Sequence, residues 1–416
     1  MNIKKIYIIV IIFTIILPIK SFSYDYLESN KNENIILTST ILNQTPKLNA
    51  RHCVVLDRNS KTILFGKDEN EKSKMASTTK IMTSLIVIEN CKDLNQTITV
   101  SKKAAGTGGS RLGLKTNDKI TIQNLLYGLM MVSGNDAAVA LAEAISGSIE
   151  DFAILMNRKA ESLGLTSTHF VTPHGLDEDE HYTTAYELAI LTDYALSNDI
   201  FLNIVRTQNY TININGYSKN LNNTNELLGY LDGVYGVKTG FTNGANRCLV
   251  TACKRGNLDI ISVVLGADKK KDRTQDSINL INYTFNNFSV VDLKEIINKD
   301  FETWKQKYEN SIVINKGLTA NLDLFLDFSK IPYDQKAVNK LAVDKITTSV
   351  NYTNYLESPL KSNTPIGTID VYIDSNILFS IPILNKNTIN RKSSFFYLQE
   401  LTKNYFKYLT IKSWLL

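Results

Sequence analysis

The chain has 416 residues, 43% of them hydrophobic and 21% charged, with a formal net charge of +5. That is a globular composition in a chain too long for one ordinary core, so two domains plus appendages are expected. So mild a charge, with no internal repeat and no long single-sign run, argues against a nucleic-acid partner.

At the N-terminus, MNIKKIYIIVIIFTIILPIKSFSYD starts with Lys4 and Lys5, stays apolar from Ile6 to Ile19 and reaches small residues at Ser21 and Ser23. This is the layout of a secretory signal over residues 1–23, cleaved after Ser23. A membrane anchor would need about 20 apolar residues; this run is shorter and contains Pro18. Residues 24–48, rich in Asn, Ser, Thr and Lys, read as a loose linker.

Two short strands follow in HCVVLDRNSKTILFG, around an Asp-Arg-Asn-Ser turn. KMASTTKIMTSLIVIEN then puts Ser77 and Lys80 on the front of an apolar run that reads as a helix. IQNLLYGLMMV and DAAVALAEAI are both helical, separated by Ser133-Gly134-Asn135. Ser148 to Asp151 and Thr184 to Glu187 have capping-box spacing and open two more helices. Strands return after Gly233 in VYGVKTG, which ends a strand at Lys238-Thr239-Gly240, then in NRCLVTAC and LDIISVVLG, before a helix over roughly 271–287. Helices inserted among strands, an antiparallel run and a closing helix predict one mixed α/β domain over 49–289.

From 290 to 388 the texture changes to alternating apolar and polar residues, as in TANLDLFLDF and TIDVYIDSNILFSIPIL. This predicts a small all-β domain with a spacing or interaction role. Residues 391–416 place Leu398, Leu401, Tyr405 and Leu409 at helical spacing, with Lys403 and Lys407 opposite. Such an amphipathic helix suits the plane of an anionic membrane surface, the alternative being a helix docked on its own protein. The four cysteines make no disulfide framework in a chain this long, and Cys248 and Cys253 fall on opposite faces of one strand. Buried free thiols are expected.

Lys80 raises the chemical question, because a lysine on a buried helix face either snorkels outward or has a task. A serine hydroxyl is a weak nucleophile until a base takes its proton, and positions i and i+3 share a helix face. Lys80 can serve as that base if burial and neighbouring positive charge depress its pKa. Ser77 near a helix start also brings an unpaired backbone N–H to the reacting carbonyl. A Ser-x-x-Lys alone arises by chance on the order of once in such a chain. Two further motifs make the set specific. Ser133 and Asn135 can project a hydroxyl and an amide from a tight helix connection. Lys238 and Thr239 can hold a carboxylate, with Gly240 allowing close approach of a substrate backbone.

In this order the motifs resemble those of the penicilloyl-serine transferases, and more closely those of the low-mass serine-type D-alanyl-D-alanine carboxypeptidases, peptidase family S11. MASTTKIMTSL, LMMVSGNDAAVALAE, THFVTPHGLD, HYTTAYELA and GVKTGFTNGANRCLV carry the resemblance over residues 50–290, and SPLKSNTPIGTIDVYID extends it more weakly. It implies a penicillin-binding/β-lactamase-like transpeptidase fold, with an antiparallel sheet and a helical subdomain, followed by the small β domain and terminal helix. It further implies Ser77 as acylated nucleophile, Lys80 as general base and Ser133 as proton relay to the leaving D-alanine. Asn135 would bind the substrate backbone, Lys238 and Thr239 would hold its terminal carboxylate, Gly240 would complete the substrate-binding set, and the N–H groups of Ser77 and Phe241 would hold the oxyanion. The substrate would be peptidoglycan stem peptides ending in D-Ala-D-Ala, with β-lactams as covalent inhibitors, no metal or cofactor, and a place at the outer face of the cytoplasmic membrane. Some relatives carry an arginine upstream of Lys-Thr-Gly; here Arg206 and Arg247 are nearest in sequence and NNTNELLGY has none. Carboxylate recognition would then rest on Lys238 and Thr239.

Three rival functions fit the sequence less well. A serine β-lactamase would have a water-activating glutamate some 35 residues past Ser-x-Asn, where this chain reads STHFVTPHG. A zinc peptidase would use His174 and His181 of PHGLDEDEH, but they lie seven apart in a loop with no His-Glu-x-x-His. An inactive cell-wall binding module would have lost a motif residue; none is missing.

Overall fold

The computed structural model describes residues 45–414; the expected secretory signal and most of the expected linker fall outside the described residues. In chain order the first part comprises β1 (His52–Asp57), β2 (Ile63–Lys67), a 3-10 turn (Ala76–Thr79), α1 (Lys80–Asn90), β3 (Thr97–Thr99), α2 (Lys102–Ala105), β4 (Lys119–Thr121), α3 (Ile122–Met131), α4 (Asn135–Ser146) and α5 (Ile149–Ser162). It continues with α6 (Ala185–Leu196), α7 (Asp199–Val205), β5 (Asn209–Ile214), β6 (Tyr217–Asn222), β7 (Val234–Thr242), β8 (Asn246–Arg255), β9 (Leu258–Ala267) and α8 (Lys270–Asn287).

Five strands form one antiparallel sheet in the order β2-β1-β9-β8-β7. The inner strands read as continuous apolar runs because both faces of the sheet are covered. Val54 and Leu56 of β1 join one core with Ile81, Leu85, Leu129 and Ala138 of the inserted helices. Cys53 and Val55, pointing the other way, join Ile260 and the Leu280–Ile281 pair of α8. All four thiols are free, and the strand alternation places Cys248 in the first core and Cys253 in the second. The caps act where the sequence puts them: Ser148 accepts from Asp151 N–H and Thr184 from Glu187 N–H, both at 3.0 Å.

β7 is the free edge of the sheet on the side of the inserted helices. It runs on through Thr242, with Phe241 opposite Arg247 and Thr242 opposite Asn246. Lys238-Thr239-Gly240 therefore lies within the strand rather than at its end, because the ladder with β8 continues to the turn.

The second part holds β10 (Phe288–Asp292), α9 (Leu293–Tyr308), β11 (Val313–Asn315), β12 (Leu324–Leu326), β13 (Gln335–Asn339), β14 (Ile346–Tyr352), β15 (Tyr355–Glu357), β16 (Thr364–Ile373), β17 (Asn376–Asn385) and α10 (Ser394–Trp414). Its main sheet is ordered β12-β17-β16-β14. The strands arise where the sequence alternates, and α9 is added to them. Leu293, Ile297, Phe301 and Trp304, on one stripe of α9, are buried against Ile369, Val371 and Ile381 of the sheet. The two parts meet through both apolar and polar contacts: Phe288 and Ala337 join the core of Cys53, Ile260 and Leu280, Lys336 Nζ donates to Thr62 Oγ1 at 2.6 Å and Ala337 N–H to Asp57 Oδ2 at 3.3 Å. On α10, Phe395, Leu398, Leu401, Tyr405 and Phe406 are all exposed. No single helix among the described residues is long and apolar enough to cross a membrane.

Candidate active site

Ser77 sits in the 3-10 turn Ala76–Thr79, and Lys80 is the first residue of α1. The turn replaces the regular helix start expected from sequence. Ala76 stands at φ +48°, which a non-glycine residue rarely adopts. Side chains pin the turn from within: Thr78 Oγ1 donates to Met75 O at 2.6 Å and Thr79 Oγ1 to Ala76 O at 2.8 Å.

The Lys80 amine lies 2.7 Å from Ser77 Oγ, 2.8 Å from Asn135 Oδ1 and 2.8 Å from the His174 carbonyl oxygen. The amide orientation of Asn135 is fixed at its other end, where Nδ2 donates to Gly108 O at 2.7 Å. Asn135 Oδ1 and His174 O can only accept. A neutral amine has two N–H bonds and one lone pair; with both N–H bonds spent on these acceptors, the lone pair is left facing the Ser77 hydroxyl. The electrostatics favour that state. Burial, and then the charge of Lys238, hold Lys80 well below the ordinary lysine range, against a smaller opposing pull from Asp136.

Ser133 and Asn135 border the same site from the α3–α4 connection. Ser133 does not cap α4, whose N-cap is Gly134 without a side-chain bond. It stands at φ +60° with a buried hydroxyl that has no hydrogen-bond partner. A buried unpaired hydroxyl on a strained residue suits a group reserved for a reacting molecule. Next to it, the buried Asp136 carboxylate accepts from the N–H groups of Leu112, Gly113 and Leu114 at 2.7–2.9 Å and of Ala137 at 2.9 Å. This fixes the 108–114 loop, and with it the Gly108 carbonyl that orients Asn135.

β7 closes the opposite side. Gly240 packs so tightly that an added Cβ would lie 3.2 Å from Ser77 N, so any side chain there would crowd the turn that carries Ser77. Thr239 Oγ1 is 3.0 Å from Thr224 Oγ1, of the Asn-Thr-Asn stretch. Lys238 is buried, its amine donating to Thr239 O at 3.0 Å. Burial first, and the neighbouring Arg273 guanidinium second, push it down to about 7. Phe241 is half exposed, with the Arg247 guanidinium stacked 3.6 Å from its ring centroid.

Arg273 is the residue the sequence motifs missed. The upstream Arg206 and the stacked Arg247 are not the buried cation beside Lys238; Arg273, on α8, is. It is 3% exposed, its Nε has no partner, and Glu226 approaches only to 3.8 Å. The signal was present, since Arg273, Ser277, Leu280, Ile281 and Thr284 share the buried stripe of α8, and a charge on such a stripe calls for a partner.

The stretch Val171–His181 covers the site from a third side. Thr83 Oγ1 donates to Pro173 O at 2.6 Å, and Asp177 accepts from Thr242 Oγ1 and Gly244 N–H at 2.7 and 2.9 Å. Burial pushes His174 down to about 3 and His181 to about 4, so both are neutral at pH 7. His174 Nδ1 accepts from Leu176 N–H at 3.2 Å. Both histidines thus hold loop backbone.

The chain is similar to known proteins over most of its length. The family model described as D-alanyl-D-alanine carboxypeptidase matches residues 39–269, and that of the penicillin-binding protein 5 C-terminal domain matches residues 335–391. The D-alanyl-D-alanine carboxypeptidase DacF of Bacillus subtilis is 29% identical over 86% of this chain and 90% of its own. DacC of Escherichia coli is 31% identical over 82% and 84%. Among solved structures, the D-alanyl-D-alanine carboxypeptidase DacD from Francisella tularensis superposes with a TM-score of 0.67 at 27% identity, covering 85% of this chain and 96% of that one. The Streptomyces K15 DD-transpeptidase gives 0.57 at 32% identity, over 59% of this chain and all of that one.

Proposed function

The chain belongs to the serine-type D-alanyl-D-alanine carboxypeptidases, the low-mass penicillin-binding proteins, and from that premise we propose that Ser77 is the residue acylated during turnover. The observation that carries this reading is the buried Lys80 amine, 2.7 Å from Ser77 Oγ and flanked by two groups that can only accept. As Ser77 Oγ attacks the penultimate D-Ala carbonyl, its proton passes to Lys80, and the N–H groups of Ser77 and Phe241 receive the developing oxyanion. Collapse breaks the amide bond and expels D-alanine, whose nitrogen takes a proton by way of Ser133. Water then attacks the ester and restores Ser77. Lys238 and Thr239, joined by Arg273, hold the terminal carboxylate, Gly240 admits the substrate backbone and Asn135 binds it. The free edge of β7 offers main-chain groups to an extended peptide.

Intact-mass analysis with benzylpenicillin tests this. We expect a penicilloyl adduct that maps to Ser77, persists for minutes or longer, and is absent in Ser77→Ala. No adduct on folded protein sinks the mechanism, and an adduct gone within seconds as penicillin is consumed shifts the role to β-lactamase.

The proposed setting is the cell wall at the outer face of the cytoplasmic membrane. Supporting it are the signal-like N-terminus and the exposed Phe395, Leu398, Leu401, Tyr405 and Phe406 beside Lys403 and Lys407 on α10. The mature chain should float with anionic lipid vesicles and stop doing so once residues 391–416 are removed; equal flotation of both would refute the anchor.

A further inference from the structure

His181 is buried and takes no part in the proton transfers above, yet both of its nitrogens are engaged. Val171 N–H points at Nδ1 from 2.9 Å and Thr172 N–H from 3.4 Å. A nitrogen that accepts carries no proton, so the proton of the neutral ring is on Nε2. That Nε2–H meets Thr79 Oγ1 at 2.8 Å and donates to it. The Thr79 hydroxyl in turn donates to Ala76 O at 2.8 Å. The Phe170 ring, edge-on with centroids 5.7 Å apart, holds the imidazole plane.

The chain of bonds ends on a consequential atom. Ala76 C=O and Ser77 N–H are the two ends of one planar peptide unit, so fixing the oxygen fixes the direction of the N–H. That unit follows a residue at φ +48°, a conformation that persists only where surroundings over-determine it. Gly175, in the same covering stretch, presses on the same oxygen so closely that an added Cβ would stand 2.0 Å from it.

We propose that His181 is a positioning residue that acts through Thr79 to hold the Ala76–Ser77 peptide with its N–H aimed at the oxyanion. This rests on the reading of Ser77 as the acylated nucleophile. An oxyanion donor contributes chiefly in the transition state, so a misdirected N–H should lower kcat and the rate of penicillin acylation while leaving KM nearly unchanged.

The test compares Thr79→Val, which deletes the hydroxyl at nearly constant shape, with Thr79→Ser, which keeps it, and with His181→Phe and the Thr79→Val/His181→Phe double variant. Wild-type acylation of Ser77 is established first; its absence would overturn the reading of the nucleophile itself. With that in hand, Thr79→Val should lower kcat on a D-Ala-D-Ala peptide roughly 10- to 100-fold, with KM within about threefold. Thr79→Ser should recover kcat to within about threefold, and the double variant should be no worse than the poorer single one, as for groups acting as a unit. Wild-type kcat in Thr79→Val, a Ser variant no better than Val, or losses that multiply in the double variant would overturn the proposal. Should Thr79→Val fail to fold, His181→Phe interrogates the same chain from its other end, and unchanged kcat there is equally fatal.

Discussion

Replacing Lys80 by Gln should lower both D-alanine release and penicillin acylation about 10²- to 10⁴-fold, the usual worth of a positioned general base. Gln is chosen because its amide N–H groups can still donate to Asn135 Oδ1 and His174 O, the acceptors that hold Lys80, so the site keeps its bonds and loses its basicity. Lys80→Arg is the sharper control. It preserves the charge, but a guanidinium does not deprotonate in a protein, so it should be as inactive as Gln. Acylation in Lys80→Arg within tenfold of wild type would show that this position supplies charge rather than a base.

The same site predicts its pH response. In the proposed mechanism Lys80 works neutral, so acylation should rise with pH as its proton leaves. Burial and the charge of Lys238 place that loss well below the ordinary lysine range. In the proposed mechanism Lys238 thus serves two ends, as one cation for the substrate's carboxylate and as a repulsion that adds to burial in discharging Lys80. Asp136 pulls Lys80 the other way by less than burial or Lys238 pushes it, and its carboxylate is turned into the four N–H groups of Leu112, Gly113, Leu114 and Ala137.

What the sequence revealed follows the range of the forces involved. Ser77 with Lys80, Ser133 with Asn135, and Lys238 with Thr239 are each local pairs, and spacing on one element suffices to find them. The strands of β1, β8 and β9 were equally legible, since a sheet covered on both faces writes itself as VVL or IISVVLG. The 3-10 turn under Ser77 was not, because besides its own Thr78 and Thr79 it is braced by Gly175 and His181, some 100 residues away. Nor was Arg273: it reaches Lys238 only after β8 and β9 have brought α8 back to the sheet. α9 was not legible because its helical stripe of Leu293, Ile297, Phe301 and Trp304 is outweighed by the longer alternation that follows Thr319. The histidines of PHGLDEDEH invite a metal reading by residue type, whereas in the fold they organise loop backbone and the nucleophile's turn.

The carboxylate end of the substrate gives the other large effect. Lys238 and Arg273 are both buried, the charge of Arg273 bears on Lys238 and that of Arg247 on Arg273, and Glu226 stands 3.8 Å from Arg273. Two cations so placed are costly until an anion lies between them. A peptide ending in D-Ala-amide should therefore lose about 2–5 kcal/mol of transition-state binding relative to the free acid, roughly 30- to 5000-fold in kcat/KM. Because kcat/KM reports the free enzyme, its alkaline limb should fall near 7, where Lys238 gives up its proton. In kcat the limb should move to higher pH, since the bound carboxylate favours the charged lysine. Arg273→Gln separates the contributions. It should shrink the acid-over-amide preference and, by removing the charge that depresses Lys238, move the limb of kcat/KM upward. Equal kcat/KM for acid and amide would place carboxylate recognition elsewhere. A limb unmoved in Arg273→Gln would mean that burial alone sets the Lys238 proton affinity, leaving Arg273 to act on the substrate and not on its neighbour.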